Sequence, residues 1–293
     1  MSSETARARS KRTKDWFNAS TEKQLWSRKQ LRNFPADLLY IAKGVLYHAI
    51  VYPQFNSSEF WRARAVYGPR DSRGVLYANR CFNSCFREEE LRIIKELVWK
   101  YNVCKGHALD VGCGMGDVSR FLVDLGFEHV DAVDFGERIE VAQRVNPHPR
   151  IRYIPSSAES YLVGEKYDLI LSSGGLAVIR NLGRMFGAID NCIAMLGEGC
   201  HMLMIDPFHT SYFLARAKIS AEEVTRHMQD RGLSLLESGG MLFWPLRLMI
   251  CDSESLNERR TRILFNAGER LMRKLGRQIW GDYKILLFRK LDA

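Results

Sequence analysis

Residues 109–116 read Leu109-Asp110-Val111-Gly112-Cys113-Gly114-Met115-Gly116. An apolar run carries an acid near its end, and three glycines follow at alternate positions. A helix-like pattern starts at once, in Asp117-Val118-Ser119-Arg120-Phe121-Leu122. A strand that turns sharply into a helix needs residues without a Cβ wherever a ligand must touch the backbone. The spacing separates two kinds of cofactor loop. The nicotinamide fingerprint is G-x-G-x-x-G after a strand, with an acid about 20 residues on. With Gly112 and Gly114 as its first two glycines, the third falls at Asp117. Gly116 comes one residue early and Asp110 sits before the loop, so both departures speak against nicotinamide.

Working outward, Val130-Asp131-Ala132-Val133-Asp134 is a short apolar strand ending in an acid, 24 residues after Asp110. A strand-end carboxylate in the next βα unit can accept both ribose hydroxyls of an adenosine cofactor. Further on, Ile151 to Pro155 reads as a third strand, followed by Ser156-Ser157-Ala158-Glu159. Tyr167 to Ser173 reads as a fourth, followed by Gly174-Gly175-Leu176.

Over about residues 88–206 these segments resemble the class I S-adenosylmethionine-dependent methyltransferases, in their small-molecule, type 11-like branch. The resemblance implies an α/β fold: a doubly wound, seven-stranded Rossmann-like sheet, mainly parallel, whose last strand inserts antiparallel. It implies S-adenosyl-L-methionine as cofactor and S-adenosyl-L-homocysteine as product. On the family's pattern Asp110, Gly112, Gly114 and Gly116 lie beside the methionine part, and Asp134 with its neighbour Phe135 lies at the ribose. Ser157, Ala158 and Glu159 fall near the adenine, with Ser157 in the place of the usual Asp. Ser173 lines the floor between cofactor and acceptor. Many small-molecule members carry a His soon after the fourth strand; here Ala177 and Val178 stand instead.

The 293 residues, 46% hydrophobic, suit one large globular domain with additions. The formal charge of +9 is uneven. Residues 1–32 carry nine Lys or Arg against three acids, and residues 257–277 carry seven against two, so the remainder is slightly acidic. Such segments serve anionic lipid, nucleic acid or an acidic substrate, or are simply solvated. The seven cysteines form no C-x-x-C or zinc pattern, which points to reduced thiols and no metal site. No secretory signal opens the chain, and Glu4 and Asp15 interrupt the Arg-rich start that a transit peptide would keep uniform. A cytoplasmic protein is the expectation, with peripheral contact to an anionic membrane as the sharper reading of the arm. The apolar run Leu38 to Phe55 is too short and too polar to span a bilayer, although Leu38, Ala42, Val45, Leu46, Ala49 and Ile50 share one helical face.

Three regions follow: a basic arm (1–30), a helical N-terminal extension or lid (31–87), and a methyltransferase domain (88–293) with a basic helical insertion at about 254–278. In the extension, Tyr77 or Arg80 is a candidate for the cofactor carboxylate. In the domain, helix over 88–101 and strands near 108–111, 130–134, 151–155, 167–172 and 201–205 alternate, which implies a parallel sheet. Ser220-Ala221-Glu222-Glu223 reads as a capping box, with strands at 234–238 and 283–289 after it.

Ligands in such sheets bind at the carboxyl ends of the strands. Asp206-Pro207-Phe208-His209 follows the fifth strand. His209 titrates near neutrality and is the candidate base, with Asp206 to orient it. Tyr212, Phe213 and Trp244 are candidate walls of the acceptor site. The Ser172-Ser173-Gly174-Gly175 run lacks the Pro-Pro-aromatic signature of exocyclic-amine methyltransferases and the paired glutamates of arginine methyltransferases. A small-molecule, sugar or lipid-linked acceptor, methylated at oxygen, is left as the leading reading. The alternatives are an RNA-binding methyltransferase and a non-catalytic cofactor-binding scaffold.

Overall fold

The computed structural model describes residues 61–62, 64, 77, 79–179, 181–208, 219–251, 253 and 256–292. The basic arm, the Leu38 to Ile50 face, and His209, Tyr212 and Phe213 lie outside these residues.

Seven strands form one sheet: β1 (His107–Val111), β2 (His129–Asp134), β3 (Ile151–Pro155), β4 (Tyr167–Ser173), β5 (Leu196–Asp206), β6 (Leu233–Phe243) and β7 (Gly281–Lys290). Their order is β3-β2-β1-β4-β5-β7-β6. Strands β1 to β5 run parallel, and β7 inserts antiparallel to both β5 and β6, as the resemblance implied. The helices are α1 (Arg80–Lys100), α2 (Asp117–Asp124), α3 (Gly136–Val145), α4 (Leu182–Met195), α5 (Ala221–Gln229), α6 (Trp244–Ile250), α7 (Glu258–Leu275) and α8 (Arg277–Trp280).

The central strands are buried on both faces, as parallel strands under crossover helices must be. Successive residues serve two cores. Ala108, Leu169, Leu171, Leu203 and Ile205 face one, under α1 and α2. Leu109, Val111, Ile170, Met202 and Met204 face the other, under α4 and α5. Each such Leu, Ile, Val or Met side chain fully withdrawn from water contributes roughly 1.5–3 kcal/mol of transfer free energy.

Local signals start the helices. Asn79 caps α1 by accepting from the Phe82 amide at 3.0 Å. At α5, Ser220 and Glu223 exchange bonds of 2.8 and 3.1 Å in a capping box.

Two strands run further than the sequence spacing predicts. β6 continues through Gly239 and Gly240 to Phe243. β5 begins at Leu196, directly at the end of α4, with Gly197 and Gly199 inside it. Parallel register aligns Val111 with Val133 of β2 and with Ser172 of β4. The residues that follow these positions, Gly112, Asp134 and Ser173, therefore emerge together along the carboxyl edge of the sheet.

Candidate active site

The β1–α2 turn is built from three left-handed glycines: Gly112 (φ +76°), Gly114 (φ +59°) and Gly116 (φ +82°). Only glycine enters this region without a penalty. The amides of Gly112 and Cys113 donate to the Val133 carbonyl at 2.8 and 3.1 Å, which ties the turn to β2. The three glycines do different things. A Cβ on Gly112 would lie 2.7 Å from the Cα of Gly175, and one on Gly116 would lie 2.4 Å from the Tyr153 hydroxyl. A Cβ on Gly114 would meet nothing within 4 Å. Gly112 and Gly116 are thus required by packing, and Gly114 opens onto free space.

Asp134 holds the other side of that space. Its Oδ2 accepts from the Gly114 amide at 2.8 Å and its Oδ1 from the Phe135 amide at 2.7 Å. Burial pushes its carboxyl above the usual range, and the two amides work against that push. Each oxygen keeps a further lone pair for a ligand hydroxyl.

Asp110 and Asp206 are both fully buried. Asp110 accepts from the Ser119 hydroxyl at 2.6 Å, and burial pushes its carboxyl up to about 7. Asp206 accepts from the Ser172 hydroxyl at 2.8 Å and from the Ala177 amide at 3.0 Å. Burial raises it to about 6. Asp206 is therefore engaged with the loop after β4.

These groups surround a cavity of about 850 Å³, within the range of ligand pockets. Its lining includes Asp110, Gly112, Gly114, Asp134 and Phe135 from β1, β2 and their turns, Ser157, Ala158 and Glu159 after β3, and Ser173 at the end of β4. Gly116 and Asp206 are set behind the lining, which Pro207 reaches instead. Arg80 lines the cavity, whereas Tyr77 is buried in the core with its ring edge-on to Phe82 at 5.0 Å. Trp244 stacks on Trp280, with centroids 5.9 Å apart, away from the cavity. Among the described residues no group of His, Cys, Asp and Glu side chains has the geometry of a metal site.

Sequence reading missed three lining residues. Arg87 and Glu90 project from α1 and form an ion pair, and the Ser173 hydroxyl donates to Glu90. Glu90 is wholly buried. Arg138 of α3 is buried beside Asp134, and burial lowers its basicity. Arg87 and Glu90 lie before the glycine loop, Arg87 at the end of the stretch read as the N-terminal extension and Glu90 in a segment read only as a helix. The one available signal was polar residues on the face that also carries Leu91.

An adenosine cofactor fits this arrangement: an open, Cβ-free position at Gly114 lies beside a buried carboxylate that retains accepting capacity. Residues 108–199 match a family described as a methyltransferase domain. Two of the solved structures that share the fold are methyltransferases. One is the N-methyltransferase NodS from Bradyrhizobium japonicum WM9, with a TM-score of 0.50 and 18% identity over 70% of this chain and 97% of that one. The other is an S-adenosylmethionine-dependent methyltransferase from Clostridium acetobutylicum, with a TM-score of 0.51 and 13% identity over 70% of this chain and 92% of that one. No curated protein sequence matches the chain. The chain therefore carries a methyltransferase domain, an enzyme domain whose methyl donor is S-adenosylmethionine.

Proposed function

We propose that this domain methylates a hydroxyl of a small-molecule, sugar or lipid-linked acceptor. One observation carries the reading. A single cavity is bounded on one side by the glycine loop, Asp134 and Ser157 to Glu159, and on the other by Ser173, Gly174, Pro207 and Tyr283. Cofactor and acceptor thus meet across the carboxyl ends of β1, β4 and β5.

S-adenosylmethionine, when bound, supplies an electrophilic methyl group on a sulfonium. The chain's own residues supply alignment, which is the main source of rate in an in-line displacement. Asp134 accepts the ribose hydroxyls, and Gly114 lets the loop backbone approach. Ser157, Ala158 and Glu159 would face the adenine, with Glu159 steadied by Arg184 at 2.6 Å. Ser173, held by Glu90, and Tyr283, held edge-on by Phe86 at 5.1 Å, shape the acceptor side. Asp206 fixes the loop after β4 through Ser172 and Ala177. The proposed base is His209, three residues beyond Asp206 and outside the described residues; a neutral hydroxyl needs one because it is a poor nucleophile.

The test is turnover of labelled S-adenosylmethionine with acceptor fractions from cell extract, read by mass spectrometry of the product. An O-methylated small molecule, sugar or lipid supports the reading; methylated RNA, or binding without any turnover, sinks it. Once an acceptor is known, His209→Ala should slow turnover by roughly 10²–10⁴-fold and remove the acidic limb of the pH–rate profile.

A further inference from the structure

Helix α7 packs Thr261, Phe265, Gly268, Glu269 and Met272 inward. Its outer surface carries an apolar stripe at four-residue spacing, and α8, beyond Gly276, exposes Ile279. Ile263 is 57% exposed, Leu271 44%, Leu275 47% and Ile279 73%, with the small Ala267 completing the series. Residues four apart on a helix are neighbours, so Ile263, Ala267, Leu271 and Leu275 form a continuous ridge along α7, and Ile279 lies on α8, beyond the break in the helix at Gly276. Cations share this surface: Arg259, Arg260, Arg270, Arg273 and Lys274 are all exposed, interleaved with the stripe or on one side of it. The helix holds two acids. Glu269 is buried, and Glu258 lies at the first turn beside Arg262. The outer face thus combines exposed aliphatic side chains with exposed cations, and Glu258 is the one exposed acid on α7.

We propose that the α7–α8 face docks on an anionic lipid bilayer. An aliphatic stripe beside and among cations is the composition that lies in a membrane interface, with the aliphatic side chains among the acyl chains and the cations among the headgroups. A nucleic acid would gain from the cations but not from this ridge, because bases stack on aromatic rings and the ridge contains none. No described helix is long and apolar enough to cross a membrane, so the contact is one of lying on the surface. The face is joined to the cavity rim. Arg262, next to Ile263, donates to both oxygens of Glu88 at 2.6 and 2.9 Å, and Glu88 lines the cavity. Docking here therefore brings the cavity rim close to the bilayer. The surface is proposed from the helix alone and does not depend on the acceptor assigned above.

The test is co-sedimentation of the full chain with phosphatidylcholine vesicles, with and without phosphatidylglycerol, with a single-stranded RNA as competitor. Two triple variants accompany it: Ile263→Ser/Leu271→Ser/Leu275→Ser, and Arg270→Gln/Arg273→Gln/Lys274→Gln. The single Ile279→Ser variant serves as a milder probe. The full chain should bind only the anionic vesicles. Each triple variant should lose at least about tenfold in apparent affinity, since both apolar area and charge contribute to interfacial binding. Melting temperature and S-adenosylhomocysteine affinity should stay unchanged, so failure here is separable from failure of the enzymatic reading. Full-strength vesicle binding by both serine variants would overturn the proposal, leaving the N-terminal charges responsible. RNA binding lost in the serine triple variant, with no vesicle binding by the full chain, would overturn it as well.

Discussion

Gly112 and Gly175 pack backbone against backbone: a Cβ on Gly112 would lie 2.7 Å from the Cα of Gly175. A Cβ on Gly175 would in turn lie 2.4 Å from the carbonyl oxygen of Val111. This contact joins the loop after β1 to the loop after β4, and both loops line the cavity. Gly112→Ala adds a left-handed φ to the clash and should cost about 2–5 kcal/mol. Gly175→Ala should cost about 1–3 kcal/mol from overpacking alone. Gly114→Ala meets no neighbour, so only its φ penalty of about 1–2 kcal/mol applies. Its methyl group would enter the cavity, so its main effect should be on S-adenosylhomocysteine affinity. Urea denaturation together with calorimetry separates the three. Equal stability losses at Gly112 and Gly114 would contradict the packing account.

Asp134 accepts two backbone amides, one on each side of the cavity's edge. Asp134→Ala strands both donors and removes the acceptor for the ligand. Cofactor affinity should fall by about 1–3 kcal/mol, the usual cost of unpaired buried polar groups. Asp134→Asn keeps one accepting oxygen and should fall between the two. Titration with S-adenosylhomocysteine by calorimetry reads the order directly; an alanine variant that binds like the parent removes Asp134 from the site.

Much of this architecture is legible in the sequence because it is locally encoded. Gly112, Gly114 and Gly116 mark a strand-to-helix turn, and Asp134 ends a strand in the next unit; both signals span a few residues. The rest needs the third dimension. The sixth strand, read over 234–238, runs on through Gly239 and Gly240 to Phe243. A Cβ on Gly240 would lie 2.2 Å from the Arg277 carbonyl oxygen, so the glycine there serves a close backbone approach. Asp206 reads as a partner for a base, yet Ser172 and Ala177, 34 and 29 residues away, take its oxygens. Glu90 meets Ser173 across 83 residues, a contact no local pattern encodes.

Glu269 links α7 to a strained point of the backbone. It accepts from the amides of Leu242, whose φ is +69°, and Phe243 at 2.9 and 3.1 Å. Burial pushes its carboxyl from the usual 4.5 up to about 7, with Glu89 adding to the shift. The folded chain therefore holds a proton that the unfolded chain releases. The stability this contributes is full below about pH 4.5 and is lost as pH rises through about 7. Asp110 and Asp206, raised to about 7 and about 6, act with the same sign. Glu269→Gln keeps an acceptor but cannot ionise. The stability of the parent relative to this variant should fall with pH between those limits, by at most about 1.4 kcal/mol per pH unit. Chemical denaturation of both chains from pH 4.5 to 8 measures it; a difference that is flat or rises with pH refutes the assignment.

Glu90 is the cavity residue whose removal separates structure from function most clearly. It is wholly buried, accepts from the Ser173 hydroxyl and pairs with Arg87. Arg87 is also 3.7 Å from Asp117 at the start of α2, so one carboxylate sets the relation of α1, α2 and β4 around the cavity. Glu90→Ala leaves the Ser173 hydroxyl and the Arg87 guanidinium without this partner. Arg87 is partly solvated, so the stability loss should be about 1–3 kcal/mol rather than that of a fully enclosed pair. Glu90→Gln keeps an oxygen for Ser173 and gives up the charge that holds Arg87. If Glu90 positions the site, the alanine variant should lose about tenfold or more in S-adenosylhomocysteine affinity, well beyond what partial unfolding explains, and the glutamine variant should recover part of it. Affinity measured well below each variant's melting temperature decides the matter. An alanine variant that is less stable but binds within about twofold of the parent reduces Glu90 to a structural tether, since twofold is under half a kcal/mol.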